Sequence, residues 1–167
     1  MPKLFLNENT EFSLEVLTFD DCEDFVDQHW CDIHIKIENY YMKFDHVSEY
    51  LKPAEVYDIL DAFNALLNNE IKEIHELRFI EPDISFILHP RHYLAPGKTV
   101  KNNIVSVRVN GETIDAYVEV IMNFPNKKVG YCNEKWSCEL NRKEIITFCE
   151  QLAEEIKHAK RNFKSED

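Results

Sequence analysis

Glycine is scarce, with three residues in a chain of 167. A Gly-rich loop that cradles phosphate needs several such positions close together, so that class of nucleotide site is excluded. The cysteines are five, an odd number, and no two stand in a CxxC pair (Cys22, Cys31, Cys132, Cys138, Cys149). That arrangement fits neither a disulfide framework nor a zinc knuckle, and the thiols read as buried or idle. No stretch approaches the roughly 18 to 20 apolar residues needed to cross a bilayer, and the opening MPKLFLNENTEF lacks an apolar run of signal-peptide length. A cytoplasmic location without membrane contact is expected. HExxH and the alternating ligands of an EF-hand are also missing.

What is present suits one core. Apolar residues make up 44% of the chain, with 11 Phe and 7 Tyr, and this composition is not that of a disordered chain. The expectation is a single domain over residues 1–163 that folds without a cofactor, followed by a frayed acidic tail, 164–167.

Charge is unevenly placed. The formal net charge is −12; residues 1–83 carry 20 Asp/Glu and 6 Lys/Arg (−14), whereas 84–167 carry 11 and 13 (+2). Such a field repels nucleic acid and anionic membrane and steers a basic protein partner toward the acidic half. It says nothing about the fold, and many soluble proteins are acidic without a basic partner.

Lys3 to Leu6 and Phe12 to Phe19 read as a hairpin around the polar turn Asn7 to Glu11. Ile33, Ile35 and Ile37 alternate with Asp32, His34, Lys36 and Glu38, which predicts a strand with one buried and one wet face. Tyr40 to Val47 is expected to pair back against it. Pro53 suits a first helical turn, and Val56, Ile59, Leu60, Phe63, Leu66 and Leu67 recur at three and four, so an amphipathic helix follows, closed by Asn68 and Asn69.

A second strand group starts near Glu73 and includes Leu77, Phe79, Ile84, Phe86 and Leu88. After the aperiodic segment 89–103, Asn110-Gly111 signals a hairpin that would set Val107 opposite Ile114 and Val105 opposite Ala116. Val129 to Leu140 reads as a strand. Asn141 with Glu144 is a capping box opening a second helix, whose buried stripe is Ile145, Ile146, Phe148, Cys149, Leu152, Ala153 and Ile156. The class is α+β: a curved, mainly antiparallel β-sheet of about eight or nine strands with two packed amphipathic helices.

Few residues invite chemistry. His89 and His92 have a spacing that chelates metal on a helix, but Pro90 argues against a helix there, and no metal site is assigned. The other histidines are scattered. Cys149 lies on an apolar stripe and Cys138 in a strand, places that suit packing better than nucleophilic attack. Asp20, Asp21, Glu23, Asp24 and Asp27 put five carboxylates into eight residues around Phe25 and Val26. An apolar pair ringed by like charges suits a partner-binding hot spot, and equally a solvated loop pinned to the core. Asp20, Asp21, Glu23, Asp24, Phe25 and Asp27 are therefore the candidate partner contacts.

The order of parts resembles the WapI family of bacterial immunity proteins. The likeness is carried by LFLNENTEFSLEVLTF, by Trp30-Cys31-Asp32-Ile33-His34-Ile35, by the segment from Tyr50-Leu51 to Leu67, by LRFIEPDISF and by ELNRKEIITFCEQLAEEI. It spans nearly the whole chain and contains no catalytic motif. It implies a stoichiometric inhibitor of a contact-delivered toxin domain, not an enzyme. Many such toxins are nucleases with basic clefts, which the −14 half of the chain would complement. The alternative is a non-catalytic adaptor of the same fold, using the locally basic 89–103 segment (Arg91, His92, Lys98, Lys101). A monomer or weak homodimer through a sheet edge is expected.

Overall fold

The alternation around Ile33 organises half of the molecule. In the computed structural model, which describes residues 1–6, 9–20, 22, 28–40, 42–90, 102–110, 119–120 and 133–163, Ile33, Ile35 and Ile37 are fully buried on one face of strand β3 (Cys31–Glu38). On one side β3 pairs with β2 (Thr10–Val16), which pairs in turn with β1 (Lys3–Leu6). On the other it pairs with β4 (Met42–Leu51). The register joins Leu6 to Thr10, with Asn9 at φ 55° in the turn, a left-handed conformation that asparagine tolerates. β4 runs to Leu51, beyond the expected Val47, with an irregularity at Cys31/Asp32.

Helix α1 (Pro53–Leu67) starts at the expected proline and buries Val56, Ile59, Phe63 and Leu66. Its end is a Schellman motif. Asn69 takes φ 58°, its N–H donates to the Leu66 carbonyl, and the Glu70 N–H donates to the Ala65 carbonyl. Strands β5 (His75–Arg78), β6 (Ile84–His89), β7 (Asn103–Asn110), β8 (Glu119–Val120) and β9 (Asn133–Leu140) follow, and α2 (Arg142–Phe163) comes last.

Among the described residues every strand pairing is antiparallel, and the α+β reading holds. The strands fall into two sheets: β1-β2-β3-β4-β8 (sheet A) and β5-β6-β7-β9 (sheet B). Their edge strands β1 and β9 lie side by side without sharing a ladder. The inner faces therefore turn toward each other. Phe12 of sheet A meets Phe86 of sheet B edge-on at 6.0 Å; Phe63 of α1 meets Phe86 at 5.8 Å and stacks on Phe148 of α2 at 4.5 Å. Burying each such ring stabilises the fold by about 1.5–3 kcal/mol.

One expectation fails. Val107 pairs with Phe86 on β6 and with Trp136 on β9, and Val105 pairs with Leu88 and Cys138. Both hydrogen-bonding sides of β7 are thus taken, which excludes the Asn110-Gly111 hairpin register. Ile114 and Ala116 lie outside the described residues.

The capping box of α2 forms as expected. Glu144 Oε2 accepts the Asn141 N–H at 2.7 Å, and Asn141 Oδ1 accepts the Glu144 N–H at 3.1 Å. Farther along, Glu155 takes the Val16 N–H at 2.8 Å and the Met1 amine at 2.6 Å, fastening α2 to β2. Ile145, Phe148, Cys149, Leu152 and Ile156 are buried along the expected stripe, together with Ala159, whereas Ala153 is exposed.

Candidate functional site

Of the six candidate contacts, Asp20 alone lies within the described residues; Asp21, Glu23, Asp24, Phe25 and Asp27 lie outside them. Asp20 is turned inward, 9% exposed. Its Oδ2 accepts the His29 backbone N–H at 2.8 Å and sits 3.0 Å from the His29 ring Nδ1, while Oδ1 accepts the Cys22 N–H at 3.0 Å. The His29 backbone hydrogen bond, helped by the Cys22 N–H and the His29 ring, holds the Asp20 carboxyl below its ordinary value against the opposing effect of burial.

The two ends of the acidic segment are thereby drawn together. Gln28 Nε2 donates to the Cys22 carbonyl at 2.6 Å, and the Lys52 ammonium donates to the Gln28 carbonyl while lying 5.1 Å over the Trp30 ring. Four N–H donors around Asp20 and Gln28 thus tie Asp20 and Cys22 to Gln28 and His29, and Gln28 to Lys52 at the start of α1.

The outer face of sheet A adds charge that the sequence did not assemble. Cross-strand register lines up Glu15, His34 and Val47 in one row, Asp32 and Glu49 in another, and Phe5, Glu11, Glu38 and Lys43 in a third. Lys3 pairs with Glu11 at 2.6 Å. His34 Nε2 meets Asp45 at 2.7 Å and its Nδ1 meets Glu15 at 3.2 Å. The hydrogen bond from His34 holds the Asp45 carboxyl below its ordinary value. Phe5, Tyr40 and Val47 stand 69%, 79% and 47% exposed. The Asp32 to Glu38 alternation signalled one wet strand, but its union with Glu11, Glu15, Asp45 and Glu49 depends on pairing register, which no local pattern specifies.

Of the residues considered for catalysis, those within the described residues are placed as packing or surface groups. Burial pushes the Cys31 and Cys138 thiols up to about 12 and the Cys149 thiol up to about 11, far from a thiolate at neutral pH. Among the described residues no His, Cys, Asp and Glu side chains group as metal ligands. The carboxylates on His34 approach opposite ring nitrogens and do not converge on one point. His46 bonds the Tyr50 hydroxyl. His89 ends β6, and its carbonyl accepts from Asn103 Nδ2 at 3.1 Å, closing the base of the 89–103 connection; His92, Arg91, Lys98 and Lys101 lie outside the described residues. No helix among the described residues is long and apolar enough to cross a membrane.

Among known proteins, the model of the immunity protein WapI-like family matches residues 3–160 of the chain. No curated protein and no solved structure matches the chain.

Proposed function

The chain belongs to the WapI-like family of immunity proteins, and from that premise we propose that it binds a cognate bacterial toxin domain in the cytoplasm and neutralises it as a stoichiometric, non-catalytic complex. The observation that carries this is the family match across residues 3–160, which takes in both sheets and nearly all of both helices. The target is a basic domain of nuclease type. A chain of −12 with its first half at −14 is attracted to the cleft of a protein that itself binds a polyanion, while its net charge repels nucleic acid.

The contact surface centres on Asp21, Glu23, Asp24, Phe25 and Asp27, with Asp20 as the buried clasp at their base. Preorganisation supports this assignment: a segment whose ends are fixed loses less entropy on binding than a free one. Residues 1–163 act as one folding unit, supported by a core cluster that draws on both sheets and both helices.

The test is co-expression with the polymorphic toxin domain encoded beside it. Rescue of growth together with co-purification of a one-to-one complex is the expected result. Toxicity that persists while the immunity chain is well expressed, with no complex recovered, would sink the proposal.

A further inference from the structure

Near the C-terminal end of α2 this acidic chain gathers cations around a groove. α1 and α2 run antiparallel, with Arg142 at the start of α2 bonding the Leu67 carbonyl at the end of α1 and Phe148 stacking on Phe63. Beyond that stack, toward the C-terminal end of α2, they leave an open groove of about 420 Å³ between Tyr57 and Leu60 on one side and Ala153 and Ile156 on the other. Its rim is Lys157, Lys160 and Arg161. Lys160 Nζ lies 5.2 Å from the Phe19 ring centroid and 5.4 Å from that of Tyr57, so its charge is held at the groove by two aromatic faces. Lys157 meets Glu154 at 3.4 Å, with both side chains more than half exposed, a pair that solvent weakens.

Lys160 and Arg161 also answer the negative end of the α2 dipole. The dipole does not account for Lys157, nor for an apolar floor left open between two helices. The groove adjoins the base of the acidic segment, because Phe163 at the end of α2 lies 5.9 Å from the His29 ring and Phe19 directly precedes Asp20.

From this juxtaposition we infer that the α1–α2 groove is a second docking site for the same partner and receives a segment of it that carries carboxylates around an apolar side chain. The inference rests on the immunity reading above. The carrying argument is charge complementarity: on a chain of −12, an apolar floor rimmed by three cations selects an acidic occupant, while the neighbouring acidic segment selects a basic one. A partner that presents both signs in the right order is thereby distinguished from any merely basic protein.

Binding of the purified toxin domain to three variants separates the possibilities. The first reverses the rim (Lys157→Glu, Lys160→Glu, Arg161→Glu), the second fills the groove at an exposed position without changing charge (Ala153→Trp), and the third reverses Asp24 and Asp27 to Lys. Circular dichroism and thermal melting confirm that each variant is folded. The expected result is a dissociation rate raised about tenfold or more by each groove variant, and for the third variant a change chiefly in association rate. Groove variants within twofold of the wild type, beside a weakened third variant, overturn the groove and leave the immunity reading standing. Loss with Ala153→Trp but not with the reversed rim overturns the acidic nature of the occupant. Absence of binding by the wild type overturns both readings.

Discussion

Asp20 and His29 hold each other at two points: the carboxylate Oδ2 accepts the His29 backbone N–H at 2.8 Å and lies 3.0 Å from the ring Nδ1. Nine residues apart in sequence, they bracket the densest run of carboxylates in the chain. Like charges repel across that run, and a clasp at its base keeps the repulsion from opening the fold.

Replacing Asp20 by Ala leaves the Cys22 and His29 N–H groups without their acceptor and is expected to lower stability by about 1–3 kcal/mol. Because the folded carboxyl is held below its ordinary 3.8, its contribution is fully present above that value and is lost as pH falls through the lowered folded value. The stability gap between wild type and Asp20→Asn, measured by urea unfolding, should therefore be constant at neutral pH and shrink in acid below pH 3.8. A gap that is unchanged in acid would show that the charge on Asp20 is not what holds the clasp.

Reversing Asp21, Asp24 and Asp27 to Lys, with the clasp at Asp20 left intact, should slow association with the toxin domain about tenfold or more at low salt and flatten its salt dependence. Stopped-flow mixing at several ionic strengths measures both. Unchanged kinetics would move the interface to the outer face of sheet A, where Phe5 stands exposed in one row with Glu11 and Glu38.

Thiol reactivity follows burial. Cys31, Cys138 and Cys149 are buried, with thiols raised to about 12, 12 and 11, while Cys22 is only partly covered. In the native protein at pH 8 a disulfide reagent should label Cys22 readily and those three only after denaturation. Labelling of Cys31 at the rate of Cys22 would contradict the packing of β3 against the core.

Local patterns were legible where the physics is local. The period of two at Ile33, Ile35 and Ile37, the proline at the start of α1, the asparagines at its end and the Asn141–Glu144 box each involve neighbours within one turn or one strand, and each forms as read. The Asn110-Gly111 turn signal failed for the complementary reason. Turn propensity acts over four residues, whereas the fate of Val107 was decided by β6 and β9, whose Phe86 and Trp136 occupy both of its sides. The candidate site divides in the same way. The carboxylate run was visible as composition, but the inward turn of Asp20 and the meeting of α1 and α2 around a basic groove arise from contacts distant in sequence.

A further carboxylate that ties distant segments is Glu55, which no pattern announced. It is 5% exposed; Oε2 accepts the Lys52 N–H at the start of α1 at 2.7 Å, and Oε1 accepts the Ile80 N–H, 25 residues away, at 2.6 Å. One carboxylate thus satisfies an orphan donor at a helix N-terminus, where negative charge is favoured, and fixes the connection between β5 and β6. Glu55→Ala strands both donors and should cost about 1–3 kcal/mol for each. Glu55→Gln should cost less, since one oxygen remains to accept, but it cannot serve both sites because its NH2 group would face an N–H. Urea unfolding of both variants beside Asp61→Ala, an exposed carboxylate on the same helix, decides the matter. If Glu55→Ala is no worse than Asp61→Ala, the bridge does not hold α1 to sheet B, and the packing of Phe63 on Phe86 must do so without it.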